Sequence, residues 1–292
     1  MTRCLIATLV VLVALSGPAV AENHPAETGV DSGMQNQQPT SKLTAAASDE
    51  DAAAEAALLE SINQSRQLAG AAPVRMDETL REAARLHALH MVSSRRLEHQ
   101  FPGEPSLLQR IADVSSLPLD RAGENIANVG CADDAHDLLM HSPPHRANIL
   151  DARFNTIGIA AIWSHGRLFV VQDFGHALPS YSAREIAQRV GEALDQARAS
   201  AGLPELAAFA PPHLDEAACA LAKGDHPNAR LLAASYTNRK VITYTQGSPE
   251  VLPSAALSLL ENPNLHHFAV GSCYARNATY PTGIYWVAIL LY

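Results

Sequence analysis

An ordered series of three motifs between residues 97 and 150 constrains the fold and function of this chain more than any other feature. The motifs are LEHQF at 97–101, AGENIA at 122–127 and HSPPHRANIL at 141–150. Each places one proton- or metal-binding side chain, His99, Glu124 or His145, beside residues typical of turns or helix ends. Polar side chains on loops held by a packed scaffold can meet without disrupting a core. We therefore expect these three residues to converge on one solvent-accessible cleft, each from an irregular segment.

The third motif has a mechanical interpretation of its own. Ser142 is a good N-cap and Pro143 suits the first helical position, so His145 falls in the first turn of a short helix. The positive end of a helix disfavours imidazolium, which keeps His145 in the neutral form that binds metals. We expect the neighbouring His136 and His141 to be surface residues.

Taken in order, these motifs resemble the CAP superfamily (cysteine-rich secretory proteins, antigen 5, pathogenesis-related 1) in its short bacterial form, over about residues 52–178. The resemblance also includes Asn63-x-x-Arg66, the helix 80–91 and the segments 154–158 and 171–175. It implies an α+β fold, a three-layer α-β-α sandwich with a mainly antiparallel sheet.

The resemblance carries the cleft residues of the family over to His99, Glu124 and His145. Two positions depart from the family pattern. Leu139 stands where the family usually has Trp, and the second acidic residue of the eukaryotic members falls near Ser142.

Two histidines and one carboxylate suit Zn²⁺ or another divalent metal with an open coordination position, so His99, Glu124 and His145 are candidate metal ligands. They could equally form a hydrogen-bonded polar cleft without metal. The resemblance favours an exported, non-enzymatic module that binds an unknown small molecule, lipid or protein. The alternative is a metal-dependent hydrolase acting on peptides or cell-envelope polymers, with Glu124 as the only candidate general base.

Local patterns predict helices over 49–68 and 77–91, strands over 157–161 and 168–174, and a hairpin turn between these strands. His87 lies on the apolar stripe of the second helix and is expected to be a hydrogen-bonded core residue. His90 lies off that stripe and is expected to face solvent.

The N-terminus carries targeting information. Residues 1–21 combine a basic start, a short apolar run and the Ala19-Val20-Ala21 cleavage site of a signal peptide. Residues 22–48 are poor in large apolar residues and predict a disordered linker. The mature chain should be secreted or periplasmic, without a transmembrane segment. The formal net charge of −9 for the full sequence and the lack of a basic cluster argue against a nucleic-acid partner.

The remaining sequence predicts a CAP-like domain over 49–178 and a second domain over 183–292. The second half looks like a degenerate copy of the first, with 195–202 repeating 63–70 and Gly271-Ser272 repeating Gly158-Ile159. An unrelated α+β domain is the alternative. His266 and His267 fall near the position of His145, but nothing replaces the other two cleft residues.

Cysteine spacing adds one further prediction. Removal of Cys4 with the signal peptide leaves Cys131, Cys219 and Cys273 in an oxidising compartment. Cys219 lies on the second helix of the copy, and Cys273 lies on a strand expected to pack over it. We therefore predict a Cys219–Cys273 disulfide and an odd Cys131.

Overall fold

The computed structural model describes residues 50–224, 229–236 and 239–292. The predicted signal peptide and linker lie outside the described residues. The chain forms two compact units: one contains the described residues up to 102 with 123–152 and 157–174, and the other contains 103–122, 153–156 and 175–292. Helices and sheets are mixed throughout, which confirms the predicted α+β class.

The first sheet is built from residues 75–177 and has the strand order β1-β3-β4-β2. The elements up to its end are α1 (Ala52–Leu68), β1 (Arg75–Met76), α2 (Glu78–Ser94), α3 (Leu107–Val114), β2 (Leu119–Val129), α4 (Asp133–His141), α5 (Pro143–Leu150), β3 (Thr156–Ser164) and β4 (Arg167–Ala177). The predicted helices and hairpin are confirmed. The turn between β3 and β4 uses His165 and Gly166, both with positive φ, as a two-residue hairpin requires.

Local chemistry explains the limits of the two long helices. The Asp51 side chain accepts a hydrogen bond from the Ala54 N–H and caps α1, which ends just before Gly70 at φ +76°. The Asp77 side chain accepts hydrogen bonds from the N–H groups of Thr79 and Leu80, the second and third residues of α2. The inward side of α2 then packs on a cluster from the first sheet that includes Ile126 and Val171.

The second sheet has the order β5-β7-β8-β6, in which β5 runs parallel to β7 and the other pairs are antiparallel. The elements of this half are α6 (Ala183–Ser200), β5 (Ala207–Ala208), α7 (Leu214–Lys223), α8 (Ala229–Ser235), β6 (Lys240–Gln246), α9 (Ser254–Leu260), β7 (His267–Ala275) and β8 (Ile284–Leu291). Two separate cores cover its faces. Alternate residues of β8 pack against α6 and α9 on one face of the sheet and against α7 and α8 on the other. The sheet therefore lies between two helical layers.

The two sheets have the same topology, because β5 to β8 take the positions of β1 to β4 in chain order. A buried arginine makes the same bonds in each half. Arg66 donates to the carbonyls of Ile149 and Asp151 at 2.8 and 3.0 Å. Arg198 donates to those of Leu260 and Asn262, both at 3.1 Å. Since both pairs lie at the end of a helix, α9 occupies the place of α5.

Two further contacts repeat between the halves. Asn63 Oδ1 accepts a hydrogen bond from the Val74 N–H, which lies 11 positions later in the sequence. Asp195 Oδ1 accepts the equivalent bond from the Leu206 N–H at the same spacing. A Cβ on Gly158 would lie 2.1 Å from the Leu80 backbone carbon, and one on Gly271 would lie 2.5 Å from the Leu214 oxygen. The second half is therefore an α+β unit with the same sheet topology and several of the same buried contacts as the first.

The predicted disulfide is confirmed. Cys219 on α7 is bonded to Cys273 on β7, with their Cα atoms 5.1 Å apart. Among the described residues Cys131 is a free, partly exposed thiol. In the same part of the chain, every helix is too short or too polar to cross a membrane.

Candidate functional site

His99, Glu124 and His145, called here the histidine–glutamate cluster, lie together in the first unit. His99 Nδ1 is 2.7 Å from Glu124 Oε1, and the rings of His99 and His145 have centroids 6.2 Å apart. An ionised carboxylate can only accept, so the Nδ1–H of His99 donates to Glu124. This bond fixes both the tautomer and the ring orientation of His99.

The elements that carry the cluster differ from the expected loops. His99 follows α2 in an irregular segment, as predicted. Glu124, however, lies on the eleven-residue strand β2. His145 lies in the first turn of helix α5, as its motif predicted. Gly123 favours a turn in isolation, but the pairing of β2 with β4 in the first sheet overrides that preference. Regular elements hold catalytic or binding groups more rigidly than loops do.

A buried amide network attaches α5 to β2. Asn125 Nδ2 donates to the His145 carbonyl at 3.2 Å and to Gln172 Oε1 at 3.1 Å. Asn148 Nδ2 donates to the Glu124 carbonyl at 3.1 Å and to Asn125 Oδ1 at 2.9 Å. These bonds fix the separation of the helix that carries His145 from the strand that carries Glu124.

His145 is a deeply buried member of the cluster. Its side chain is buried, with the residue only 4% exposed, and neither ring nitrogen has a hydrogen-bond partner among the described residues. Burial, with a smaller contribution from the nearby His99, lowers the pKa of His145 to about 4. The ring is therefore neutral at physiological pH, with one nitrogen able to donate and the other able to accept.

The whole cluster is more enclosed than a solvent-accessible cleft. The His99 side chain is 10% exposed and that of Glu124 is 5% exposed. His87 backs the carboxylate, with its Nε2 3.7 Å from Glu124 Oε2 and 2.9 Å from the Glu98 carbonyl. The prediction of a hydrogen-bonded core histidine at position 87 is confirmed.

Three expectations about neighbouring residues were wrong. His90 is half-buried and stacks on Phe101 with ring centroids 4.1 Å apart, because Phe101 folds back over the end of α2. His136 is half-buried with its Nε2 2.9 Å from the Ser65 hydroxyl, and burial lowers its pKa. Ser142 occupies the N-cap position of α5, but its hydroxyl makes no capping bond. His141 is exposed, as predicted.

The donor set meets only part of the requirement for a metal centre. Within residues 50–224, 229–236 and 239–292 no three His, Cys, Asp or Glu side chains are grouped to hold an ion. Glu124 Oε1 is bonded to His99, which makes this carboxylate an orienting partner of the ring rather than a direct ligand. Metal binding by His99, Glu124 and His145 stays a prediction.

In the second unit, an apolar residue occupies the position that corresponds to His145. The carbonyls of Ile149 and Leu260 are equivalent, because each accepts a hydrogen bond from the buried arginine of its half. His145 lies four residues before Ile149, and Ala256 lies four residues before Leu260, so Ala256 takes the position of His145. His266 and His267 were expected there, but they lie at the start of β7 and are exposed. The sequence matches were too short to fix the register, whereas the bonds of the two arginines fix it.

The comparisons with known sequences match the half of the chain that carries the histidine–glutamate cluster. Residues 59–174 match the model of the Cysteine-rich secretory protein family (CAP). The "Uncharacterized protein YkwD" of Bacillus subtilis (strain 168) is 32% identical over 121 residues, which are 40% of this chain and 46% of that protein. The chain therefore spans about half the length of this curated relative. Together with the motifs, these findings show that residues 59–174 are a CAP domain.

Two solved structures are similar. An extracellular protein containing a SCP domain from Bacillus anthracis str. Ames is 24% identical, with a TM-score of 0.37 over 41% of this chain and 39% of that chain. Na-ASP-1 is 8% identical, with a TM-score of 0.48 over 85% of this chain and 91% of that chain.

Proposed function

We propose that the CAP domain is an exported, non-enzymatic binding module in which the histidine–glutamate cluster receives a polar group of its ligand. The observation that carries this proposal is the state of His145, whose two buried ring nitrogens lack hydrogen-bond partners among the described residues. A buried polar group without a partner costs about 1–3 kcal/mol. A ligand that bonds to this ring would recover that energy.

The chemistry of the cluster defines what such a ligand offers. A neutral imidazole accepts at one nitrogen and donates from the other, so a hydroxyl or amide group matches it. A divalent cation is the other possibility, since it needs neutral imidazoles. His99 and His145 would hold the ion, and Glu124 would orient His99 from the outer shell.

The position of Glu124 supports binding rather than hydrolysis. A metal hydrolase needs a general base beside a metal that keeps three protein ligands. The cluster offers two imidazoles, and Glu124 Oε1 is bonded to His99. Glu124 is therefore placed to orient His99 rather than to act as a base on a bound water.

Ring-nitrogen NMR with ¹⁵N-labelled histidine tests the proposal, using zinc chloride and a set of small alcohols, amides and carboxylates as probes. Binding should shift the His145 signals, and His145→Ala should abolish saturable binding without loss of the fold. His141→Ala is the matched control, because His141 is exposed on the preceding helix. Cleavage of peptide or envelope-polymer substrates that disappears in Glu124→Gln would contradict a non-enzymatic role.

Export rests on the first 21 residues. We propose cleavage after Ala21, because Ala19 and Ala21 provide the small side chains that a signal peptidase requires. Amino-terminal sequencing of protein from the periplasm or medium should find Glu22 first. Retention of Met1 in exported protein would contradict cleavage.

A further inference from the structure

A groove of about 680 Å³ lies in the second unit, beside the short strand β5. The helix α6 forms one wall. The segment 209–213, which leads into α7, forms the other wall, and Phe268 of β7 lies on the floor. All of its lining residues belong to this one unit.

An insertion creates the groove. The Phe209 N–H bonds to the Phe268 carbonyl just as the Asp77 N–H bonds to the Ile157 carbonyl in the first half. Helix α2 begins immediately after Asp77, whereas α7 begins only at Leu214. Leu80 and Leu214 make the same close approach to Gly158 and Gly271, so the connection from Phe209 to Leu214 is two residues longer than the one from Asp77 to Leu80.

The floor of the groove is apolar. Gly191 of α6 faces the Phe268 ring so closely that a Cβ at this position would lie 2.8 Å from Cζ. Phe209 is 41% exposed, although it makes an edge contact with Tyr292 and the Arg239 guanidinium lies 5.4 Å from its ring centroid. An aliphatic side chain of a ligand would cover this surface.

The rim of the groove is acidic. Glu192, Asp195, Asp215 and Glu216 line it, and its lining includes neither Lys nor Arg. Asp195 and Asp215 accept backbone N–H bonds and hold the fold. Glu192 and Glu216 are exposed at the rim. Glu192 Oε1 accepts a hydrogen bond from Gln188 Nε2 at 2.9 Å, and Glu216 Oε1 lies 3.5 Å from His213 Nδ1. The charge of these exposed carboxylates attracts a cationic partner.

The groove also exposes a sheet edge. Strand β5 pairs only with β7, and the N–H groups of Ala207 and Phe209 point to that partner. Strand alternation directs the N–H and C=O of the intervening Ala208 to the opposite side, where Ala208 lines the groove. An extended peptide can bond to such an edge and place alternate side chains into the adjacent groove.

We propose that this groove binds an extended segment of a partner protein in which aliphatic residues alternate with Lys or Arg. The aliphatic side chains lie on Phe209 and Phe268, the cations face Glu192 and Glu216, and the peptide backbone pairs with Ala208. The site is independent of the histidine–glutamate cluster. Its chemistry excludes acidic peptides.

Fluorescence anisotropy with a labelled acetyl-Lys-Leu-Lys-Leu-Lys-Leu amide tests this proposal on the full chain. Saturable binding is expected, and it should weaken in 1 M NaCl, because the Debye length falls to about 3 Å. The same peptide with Glu in place of Lys should not bind. In the double variant Glu192→Gln, Glu216→Gln, affinity should fall about five-fold, given roughly 0.5 kcal/mol for each exposed charge pair.

Glu205→Gln is the matched control, because Glu205 is an exposed acid of the same unit that does not line the groove. Phe209→Ser should also weaken binding, and an unchanged melting temperature would show that the fold is intact. Failure of the basic peptide to saturate the wild-type chain would overturn the proposal. An equal loss in Glu205→Gln would also overturn it, since binding would then follow net charge alone.

Discussion

Replacing His145 should change how the stability of the protein depends on pH. Burial and the nearby His99 lower the pKa of this ring to about 4, against an ordinary value of 6.5. The unfolded chain therefore binds a proton at a higher pH than the folded chain does. Stability is complete above pH 6.5 and falls as the pH drops from 6.5 towards 4.

The size of this effect follows from the pKa difference. One pKa unit corresponds to about 1.36 kcal/mol. The lowered pKa of His145 should therefore reduce the free energy of unfolding by at most about 3 kcal/mol between pH 7 and pH 4. That is a large fraction of the 5–15 kcal/mol by which domains are usually stable. The burial of His136 lowers its pKa as well and adds a loss of the same sign.

Urea unfolding followed by tryptophan fluorescence, at pH 7 and at pH 4, measures the effect. His145→Gln should reduce the stability lost between the two pH values by about 2–3 kcal/mol relative to the wild type. His141→Gln should leave the loss unchanged, since His141 is exposed. Equal pH dependence in the wild type and His145→Gln would refute the argument that the ring is held neutral by burial.

Further substitutions test the packing of both halves. Arg198→Leu should cost about 3 kcal/mol or more in denaturant unfolding, because several buried carbonyls lose a charged donor. Cys219→Ser should cost about 2–5 kcal/mol by removing the disulfide, whereas Cys131→Ser should have little effect, as thermal melts would show. Gly158→Ala should destabilise by several kcal/mol, because its Cβ would overlap the α2 backbone. Gly130→Ala, which meets nothing within 4 Å, should not, and calorimetry of both variants separates the outcomes.

The sequence contained enough information to predict the first sheet and its helices. Asp51 and Asp77 lie at capped helix starts, and the His165-Gly166 pair lies at the hairpin turn. These signals act within a few residues, so pattern reasoning detects them. The disulfide was predictable for a different reason, because the repeat placed Cys219 and Cys273 on elements already known to pack together.

The details of the site depended on contacts between distant residues. His136 bonds to Ser65, 71 positions earlier, and no local pattern reports that contact. The side-chain hydrogen bonds that join Asn125 to Gln172 and to Asn148 also connect residues far apart in the sequence. Both asparagines belong to the motifs that carry Glu124 and His145, and this association was the one signal that could have revealed their role.

The register of the repeat was the second point that required the structure. Short matches placed His266 and His267 near the position of His145. The paired bonds of Arg198 show that Ala256 occupies that position. The first half has two helices, α4 and α5, between β2 and β3, whereas the second half has α9 alone between β6 and β7. A difference of this size shifts any alignment made from sequence alone.

Measuring the protonation state of the His145 ring tests the proposed function most directly, because the proposed binding requires a neutral imidazole with one unprotonated nitrogen. A pH titration of the ring-nitrogen chemical shifts in ¹⁵N-histidine-labelled protein measures it, with His145→Gln used to assign the signals. The account predicts one N–H and one bare nitrogen from pH 7 down to about pH 4.5, with a midpoint near the pKa of about 4. An imidazolium signal for His145 at pH 6 would contradict it.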